Sequence, residues 1–254
     1  MFEGAAAETP ILYGLFMNPF YRAINYLRSI VFYVGYIISL FIIGLISLPL
    51  LLLPTKIAAP VILLWNRFVL FWLRICCGIR YQVNGDLSTI PRPCVVVANH
   101  QSPWETIFLQ LHFYPLTTVL KRELLRIPFF GWGMRILRPI AIDRSNPMQA
   151  LKQIKRVGVE RLSEGQSVLI FPEGTRQPVN KLGSFARSGA DIAKSADMPI
   201  VAIAHNAGQY WANKKIAKTP GMVTVYISDV ITVDDKNTKE IMQDIQQWIE
   251  EKLL

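Results

Sequence analysis

The sequence predicts an α/β protein: a mixed sheet flanked by helices, preceded by an N-terminal hydrophobic helical membrane anchor. Three observations predict it. Apolar residues make up 52% of the 254, and the excess is concentrated before about residue 80, far above what a soluble core needs. Beyond Arg80, short apolar runs alternate with longer stretches of helical period. Several of those runs end in polar segments, and the carboxyl ends of strands are where open α/β sheets build their sites. The expected organisation is therefore an anchoring region, 1–80, and an α/β domain, 81–254.

The anchor comes first. Ile30–Leu53 is a run of 24 residues without a charge, about 36 Å long as a helix and enough to cross a bilayer core. The residues before it include Glu3 and Glu8 and show no small-residue cleavage site, which predicts an uncleaved anchor. The next apolar run, Ile57–Ile79, carries Arg67 and Arg74 on one helical face and Trp65, Phe68 and Trp72 on the opposite one. That division predicts a helix lying at the membrane interface or dipping into one leaflet; a helix packed on the following domain is the alternative. Removal of residues 1–80 is expected to abolish activity on membrane lipid.

The runs after Arg80 predict strands at Cys94–Ala98, Thr117–Leu120, Ile140–Ile142, Ser167–Phe171, Ile200–Ala204 and Val223–Ile227. Helices are expected at Trp104–His112, Phe129–Leu137, Met148–Ser163, Phe185–Ser195 and Thr238–Leu253. Asn146-Pro147 supplies the start signal of the third of these. Asn206–Met222 reads as a surface loop or lid.

Charge is uneven. The formal net charge of +9 divides into +4 for residues 1–80, +7 for 81–189 and −2 for 190–254. A basic surface beside a membrane anchor suits anionic headgroups or phosphorylated substrates, and no nucleic-acid-binding motif accompanies it. Cys76, Cys77 and Cys94 have neither metal-site nor disulfide spacing and read as small buried hydrophobes.

Three polar segments follow apolar runs. Asn99-His100-Gln101-Ser102-Pro103-Trp104-Glu105 offers a histidine at a strand end, but Ser102 to Glu105 is also a capping-box spacing, so Glu105 has a structural explanation of its own. Phe171-Pro172-Glu173-Gly174-Thr175-Arg176 offers a carboxylate, a permissive turn, a hydroxyl and a guanidinium suited to phosphate; a local Glu173–Arg176 ion pair is the alternative. Lys121-Arg122-Glu123-Leu124, followed by Pro128 and Gly131, is otherwise an exposed charge cluster.

In this order, and with Met198-Pro199-Ile200-Val201 after them, these segments resemble the four blocks of the glycerophospholipid acyltransferases, in particular the lysophosphatidic acid acyltransferase (1-acyl-sn-glycerol-3-phosphate acyltransferase) branch. The resemblance spans about residues 80 to 230. It departs from the family pattern at Glu105, where aspartate is usual, and at Ala202-Ile203. It implies a glycerolipid acyltransferase-like fold and transfer of a fatty acyl group from acyl-coenzyme A or acyl carrier protein to the sn-2 hydroxyl of lysophosphatidic acid. His100 is then the general base and Glu105 its orienting carboxylate. Lys121, Glu173, Gly174, Thr175 and Arg176 hold the glycerol-phosphate end; Arg122, Arg144 and Arg187 are further candidates. Neither a metal nor a resident cofactor is expected, and backbone N–H groups near Ser102 are candidates for the oxyanion. The implied setting is the cytoplasmic face of a bacterial inner membrane or an organellar equivalent, with membrane lipids as partners. Other readings are a different lysolipid acceptor, a membrane thioesterase or esterase (the chain has no Gly-x-Ser-x-Gly elbow), or a lipid-binding module without turnover.

Overall fold

The computed structural model describes residues 19–179, 181–234 and 236–253. The expectation of an uncleaved leader rests largely on residues 1–18, which lie outside these. Helix α1 spans Pro19–Leu50 and α2 spans Thr55–Cys77. A short turn ending at Pro54 joins them, and both are long and apolar enough to cross a membrane. They pack along each other: Trp65 Nε1 donates to Ser39 Oγ at 3.1 Å and Trp72 Nε1 to the Phe32 carbonyl at 3.2 Å.

The outward side of this pair is apolar and exposed, with Val34, Ile38, Phe41, Ile42 and Leu45 on α1 and Ile57, Leu64, Phe71 and Ile75 on α2. Arg67 and Arg74 are exposed among these α2 residues, and a broad apolar surface edged by long basic side chains is what a membrane would cover. The inward side of α2 is buried in the domain through Val69, Leu70, Leu73, Cys76 and Cys77. The inner face of α2 thus matches the alternative of a helix packed on the domain, while its outer face stays exposed. Phe68 is exposed, whereas Trp65 and Trp72 are half-buried, because their indole N–H groups reach α1.

Seven strands form one sheet in the order β1-β7-β6-β2-β5-β3-β4: β1 Ile79–Asn84, β2 Val95–Ala98, β3 Leu116–Lys121, β4 Ile140–Ile142, β5 Ser167–Ile170, β6 Ile200–His205 and β7 Gly221–Ile227. Strands β6, β2, β5, β3 and β4 run parallel, and β7 turns antiparallel to β6 with β1 parallel to it. The fold is thus the expected mixed sheet. Central strands β2, β5 and β6 are buried at every residue, as the uninterrupted apolar runs demand when both faces are covered.

On one face lie α3 (Pro103–His112) and the inner sides of α1 and α2, packing Trp104, Phe108, Phe32 and Leu73 against Val96, Ala98, Val201 and Val223. On the other face lie α5 (Pro147–Ser163), α6 (Ser188–Ala196) and α7 (Thr238–Leu253), where Ile154, Ile192, Ile241 and Ile245 cover Val95, Val97, Ile170 and Ala202. The short α4 (Phe130–Ile136) bridges β3 and the anchor pair, with Ile136 packed against Ile43 and Ile62.

Two segments differ from the sequence reading. Strand β1 straddles the expected boundary at residue 80 and was not foreseen. It is an edge strand with only Ile79 fully buried, so it shows neither alternation nor an apolar run. The stretch expected as a surface loop or lid, Asn206–Met222, is exposed at Lys214, Lys215, Ile216 and Ala217 but pinned on either side of them: Trp211 and Lys218 are buried, and the Lys218 N–H donates to Ser29 Oγ of α1 at 2.9 Å. The cysteines are all free and buried.

Candidate active site

The parallel strands deliver the sequence-predicted residues to one edge of the sheet. Their carboxyl ends lead to His100 after β2, Lys121 at the end of β3, Arg144 after β4 and Phe171–Arg176 after β5. His100 Nδ1 donates to Glu105 Oε1 at 2.8 Å, with the carboxylate wholly buried. The same oxygen accepts the backbone N–H groups of Gln101 at 3.1 Å and Ser102 at 2.9 Å, while Ser102 Oγ accepts from Trp104 N–H. Glu105 is therefore both a helix cap and the partner of the imidazole; the two readings of the motif describe one atom.

Burial opposes ionisation of Glu105, but the hydrogen bonds from His100 and Ser102 and the adjacent imidazoles outweigh it and hold the carboxyl below its ordinary range. An ionised carboxylate has no proton to give, so Nδ1 carries the hydrogen and Nε2 is the nitrogen Glu105 leaves free. The ring is fixed from its flat side as well, stacked on Phe171 with centroids 4.0 Å apart and planes at 16°.

His205 backs the pair. Its Nε2 donates to the Asn99 carbonyl at 2.8 Å and its Nδ1 accepts the Ala207 N–H at 3.3 Å, leaving Nε2 4.0 Å from Glu105 Oε2. Burial pushes its pKa down, so it stays neutral. Asn99 completes the brace: its side-chain amide donates to the His205 carbonyl at 2.9 Å and accepts the His205 N–H at 3.0 Å.

A cavity of about 440 Å³ opens beside His100. Its inner walls come from four helices and are mostly apolar, among them Leu40 and Ile43 of α1, Trp65 of α2, Ile107 of α3 and Met134 of α4, with Asn66, Thr106 and Gln110 between them. Its polar end is formed by Lys121, Arg144, Thr175, Arg176 and Asn213. Within it, the Arg176 Nε is buried with no hydrogen-bond partner among the described residues, a donor that an incoming anion would satisfy. Gly174 lies in the left-handed region at φ 67°, with open space where a side chain would project; its absent Cβ keeps the floor of the turn clear.

Glu173 is placed differently from expectation. It is not among the residues that line this cavity, and its oxygens accept the backbone N–H groups of His100 and Gly183, both at 2.8 Å. Burial raises its pKa against the pull of these two bonds. Its carboxylate ties the β2 and β5 loops together, and no ion pair to Arg176 forms among the described residues. The backbone N–H groups at the start of α3 are likewise engaged, by Glu105 and Ser102 Oγ, and so are not free for an oxyanion.

No sequence pattern marks Phe171 as a stacking partner or Asn213 as a wall residue, and Arg144 is marked only weakly. A lone arginine two residues past a three-residue strand carries no pattern. Among the described residues no three of His, Cys, Asp and Glu gather as a metal site requires.

Comparison with known proteins agrees with this geometry. The sequence pattern of the acyltransferase family matches residues 80–206, the stretch that contains the bonded His100–Glu105 pair and the loop of Arg176. A 1-acyl-sn-glycerol-3-phosphate acyltransferase of Pseudomonas aeruginosa is 44% identical over 233 residues, 89% of this chain and 90% of that one. The Saccharomyces cerevisiae protein of the same name is 30% identical over 135 residues, 52% of this chain and 44% of that one. The crystal structure of the 1-acyl-sn-glycerophosphate (LPA) acyltransferase PlsC from Thermotoga maritima shares the fold, with a TM-score of 0.75 at 23% identity over 90% of this chain and 94% of that one. Matched through its site-bearing half and along nearly its whole length, the chain belongs to the acyltransferase family.

Proposed function

We propose that the protein transfers a fatty acyl group from a coenzyme A or carrier-protein thioester to the free hydroxyl of 1-acyl-sn-glycerol-3-phosphate, forming phosphatidate. The observation that carries this reading is the buried His100–Glu105 pair at the junction of an apolar cavity with a cationic rim. His100 Nε2 takes the proton of the lysolipid hydroxyl as that oxygen attacks the thioester carbonyl, and the Glu105 carboxylate stabilises the imidazolium that forms. As the new C–O bond completes, the C–S bond breaks and the thiolate leaves, taking the proton from the imidazolium. The substrate supplies the nucleophile, so no covalent enzyme intermediate is needed. Arg176, Lys121 and Arg144 receive the phosphate, Arg176 through its unpartnered buried donor. Thr175 and Gly174 line the same rim, and Glu173 holds it in place.

The apolar helix pair keeps this rim at the membrane, where acceptor and product both reside, and the supply of the thioester places the site on the cytoplasmic side. Residues 1–80 act as the anchor and 81–254 as the catalytic domain in this scheme. The test is acyl transfer by vesicle-reconstituted protein with acyl-coenzyme A and lysophosphatidate. His100→Ala is expected to lower turnover by about 10²–10⁴-fold. Glu105→Gln, which can still cap the helix, is expected to lower kcat at least about tenfold without changing helix content. Release of free fatty acid at the same rate without any acceptor would instead assign the site to hydrolysis.

A further inference from the structure

A second cavity, of about 330 Å³, meets the first at His100, Phe171, Gly174 and Arg144. It runs the other way. Its walls are Ile142 at the end of β4, Ala150, Leu151 and Ile154 of α5, and Ala186 before α6. It therefore lies on the α5–α6 side of the sheet, whereas the anchor helices pack on the opposite face. Its surroundings are both apolar and basic. Met148 and Leu151 are exposed on the first turns of α5, with Lys152, Lys155 and Arg156 exposed just beyond them. Arg144 stands where the cavities join, and exposed Arg187 lies between the lining residues Ala186 and Ser188. The one carboxylate close in sequence, Asp143, is engaged by the Ser145 N–H and hydroxyl.

A thioester has two arms diverging from its carbonyl: a hydrocarbon chain and a thiol-linked chain of amides ending in phosphate. The carbonyl must reach His100 while both arms find room. We infer that the second cavity holds the phosphopantetheine arm of the acyl donor, threading it over the N-terminal turns of α5 from the aqueous side. The apolar walls of the first cavity, from α1, α2, α3 and α4, are then left to hydrocarbon, and its polar rim to the phosphate of the acceptor. An uncharged arm suits the apolar walls of Ala150, Leu151 and Ile154, and its phosphate suits the basic lip. The inference rests on the acyl-transfer reading for the nature of the ligand but on the second cavity for its place. Coenzyme A and acyl carrier protein share this arm, so both should use it.

The test is equilibrium binding of free coenzyme A and of holo-acyl carrier protein to the detergent-solubilised full chain. Two variants are compared with wild type. Ala186→Phe fills the cavity from an exposed position, and Leu151→Glu sets a carboxylate at its lip on an exposed helix surface that tolerates it. Each is expected to weaken both ligands at least about tenfold while lysophosphatidate binding is unchanged. Failure of wild type to bind either ligand, unchanged binding in both variants, or weakening of lysophosphatidate in place of the thiols overturns the assignment. Weakening of one carrier but not the other overturns it too, since the wall would then touch the carrier and not the shared arm. Acyl transfer by wild type, measured in parallel, decides the proposed function independently of these outcomes.

Discussion

Lys218 shows how a single side chain couples the anchor to the domain. It is 2% exposed, yet its ammonium sits 3.7 Å from the Tyr33 ring and within about 5.5 Å of the Phe32 and Trp211 rings, donating to the Ile216 carbonyl at 2.9 Å. The rings partly replace water around the charge. Burial still lowers its pKa from 10.5 to about 8. Below pH 8 the lysine is protonated folded and unfolded, and the native state bears the full cost of enclosing the charge. Between pH 8 and 10.5 the unfolded chain keeps a proton that the folded one has shed, so this residue makes stability rise with pH. The thermal midpoint of wild type relative to Lys218→Met in detergent is accordingly expected to climb across that window. A pH-independent difference would show that the native lysine keeps its ordinary pKa.

At the scale of elements, the packing of α1 on α4 sets the width of the larger cavity. A Cβ on Gly44 would fall 2.5 Å from the Phe129 Cα, so the helices touch through bare backbone. Phe129 itself has a φ of 64°, costly for a side-chain-bearing residue, and is wedged 4.5 Å from Phe41 and 4.9 Å from Trp132 between ring centroids. Gly44→Ala is expected to cost about 1–3 kcal/mol by overpacking and to lower activity with it. Gly133→Ala on α4 would meet only Ser47 Oγ at 3.4 Å and Ile62 Cδ1 at 3.6 Å, so its unfolding midpoint should stay near wild type. Denaturation of the two variants side by side checks the pair. The elements themselves were largely legible: β2, β5 and β6 announce themselves as fully buried runs, and Asn146 caps α5 by accepting the Gln149 N–H as its sequence implied. Strand β1 was hidden because an edge strand needs few apolar residues. The site was legible in its chemistry but not in its partners. His100, Glu105 and Arg176 could be picked out by type and spacing, whereas the stacking of Phe171, the brace of His205 and the tethering by Glu173 arise from residues 71 or more positions from their targets or from backbone donors that no side-chain pattern encodes.

At the scale of the molecule, anchor and domain form one core. Phe32 of α1 and Leu73 of α2 belong to the same buried cluster as Val96 and Val201 of the sheet, so cutting after residue 80 would strip that cluster and remove the first residues of β1. The role of the membrane face is better tested from outside it. Replacing Ile38, Ile42 and Leu45, all more than half exposed, with lysine is expected to release the protein from vesicles in a flotation assay, while activity on lysophosphatidate presented in detergent micelles survives; undiminished vesicle binding would place the membrane contact elsewhere. The hydrogen bond from Lys218 to Ser29 spans 189 positions of the chain, and this has a bearing on biogenesis. The helix pair is made before the domain that follows it, but its inner face has no complete partner until the segment after β6 has been made. Synthesis thus carries its own safeguard, since a nascent or prematurely ended chain already has its apolar helix pair while its cavity still lacks Asn213 and the clasp that holds α1 against the sheet.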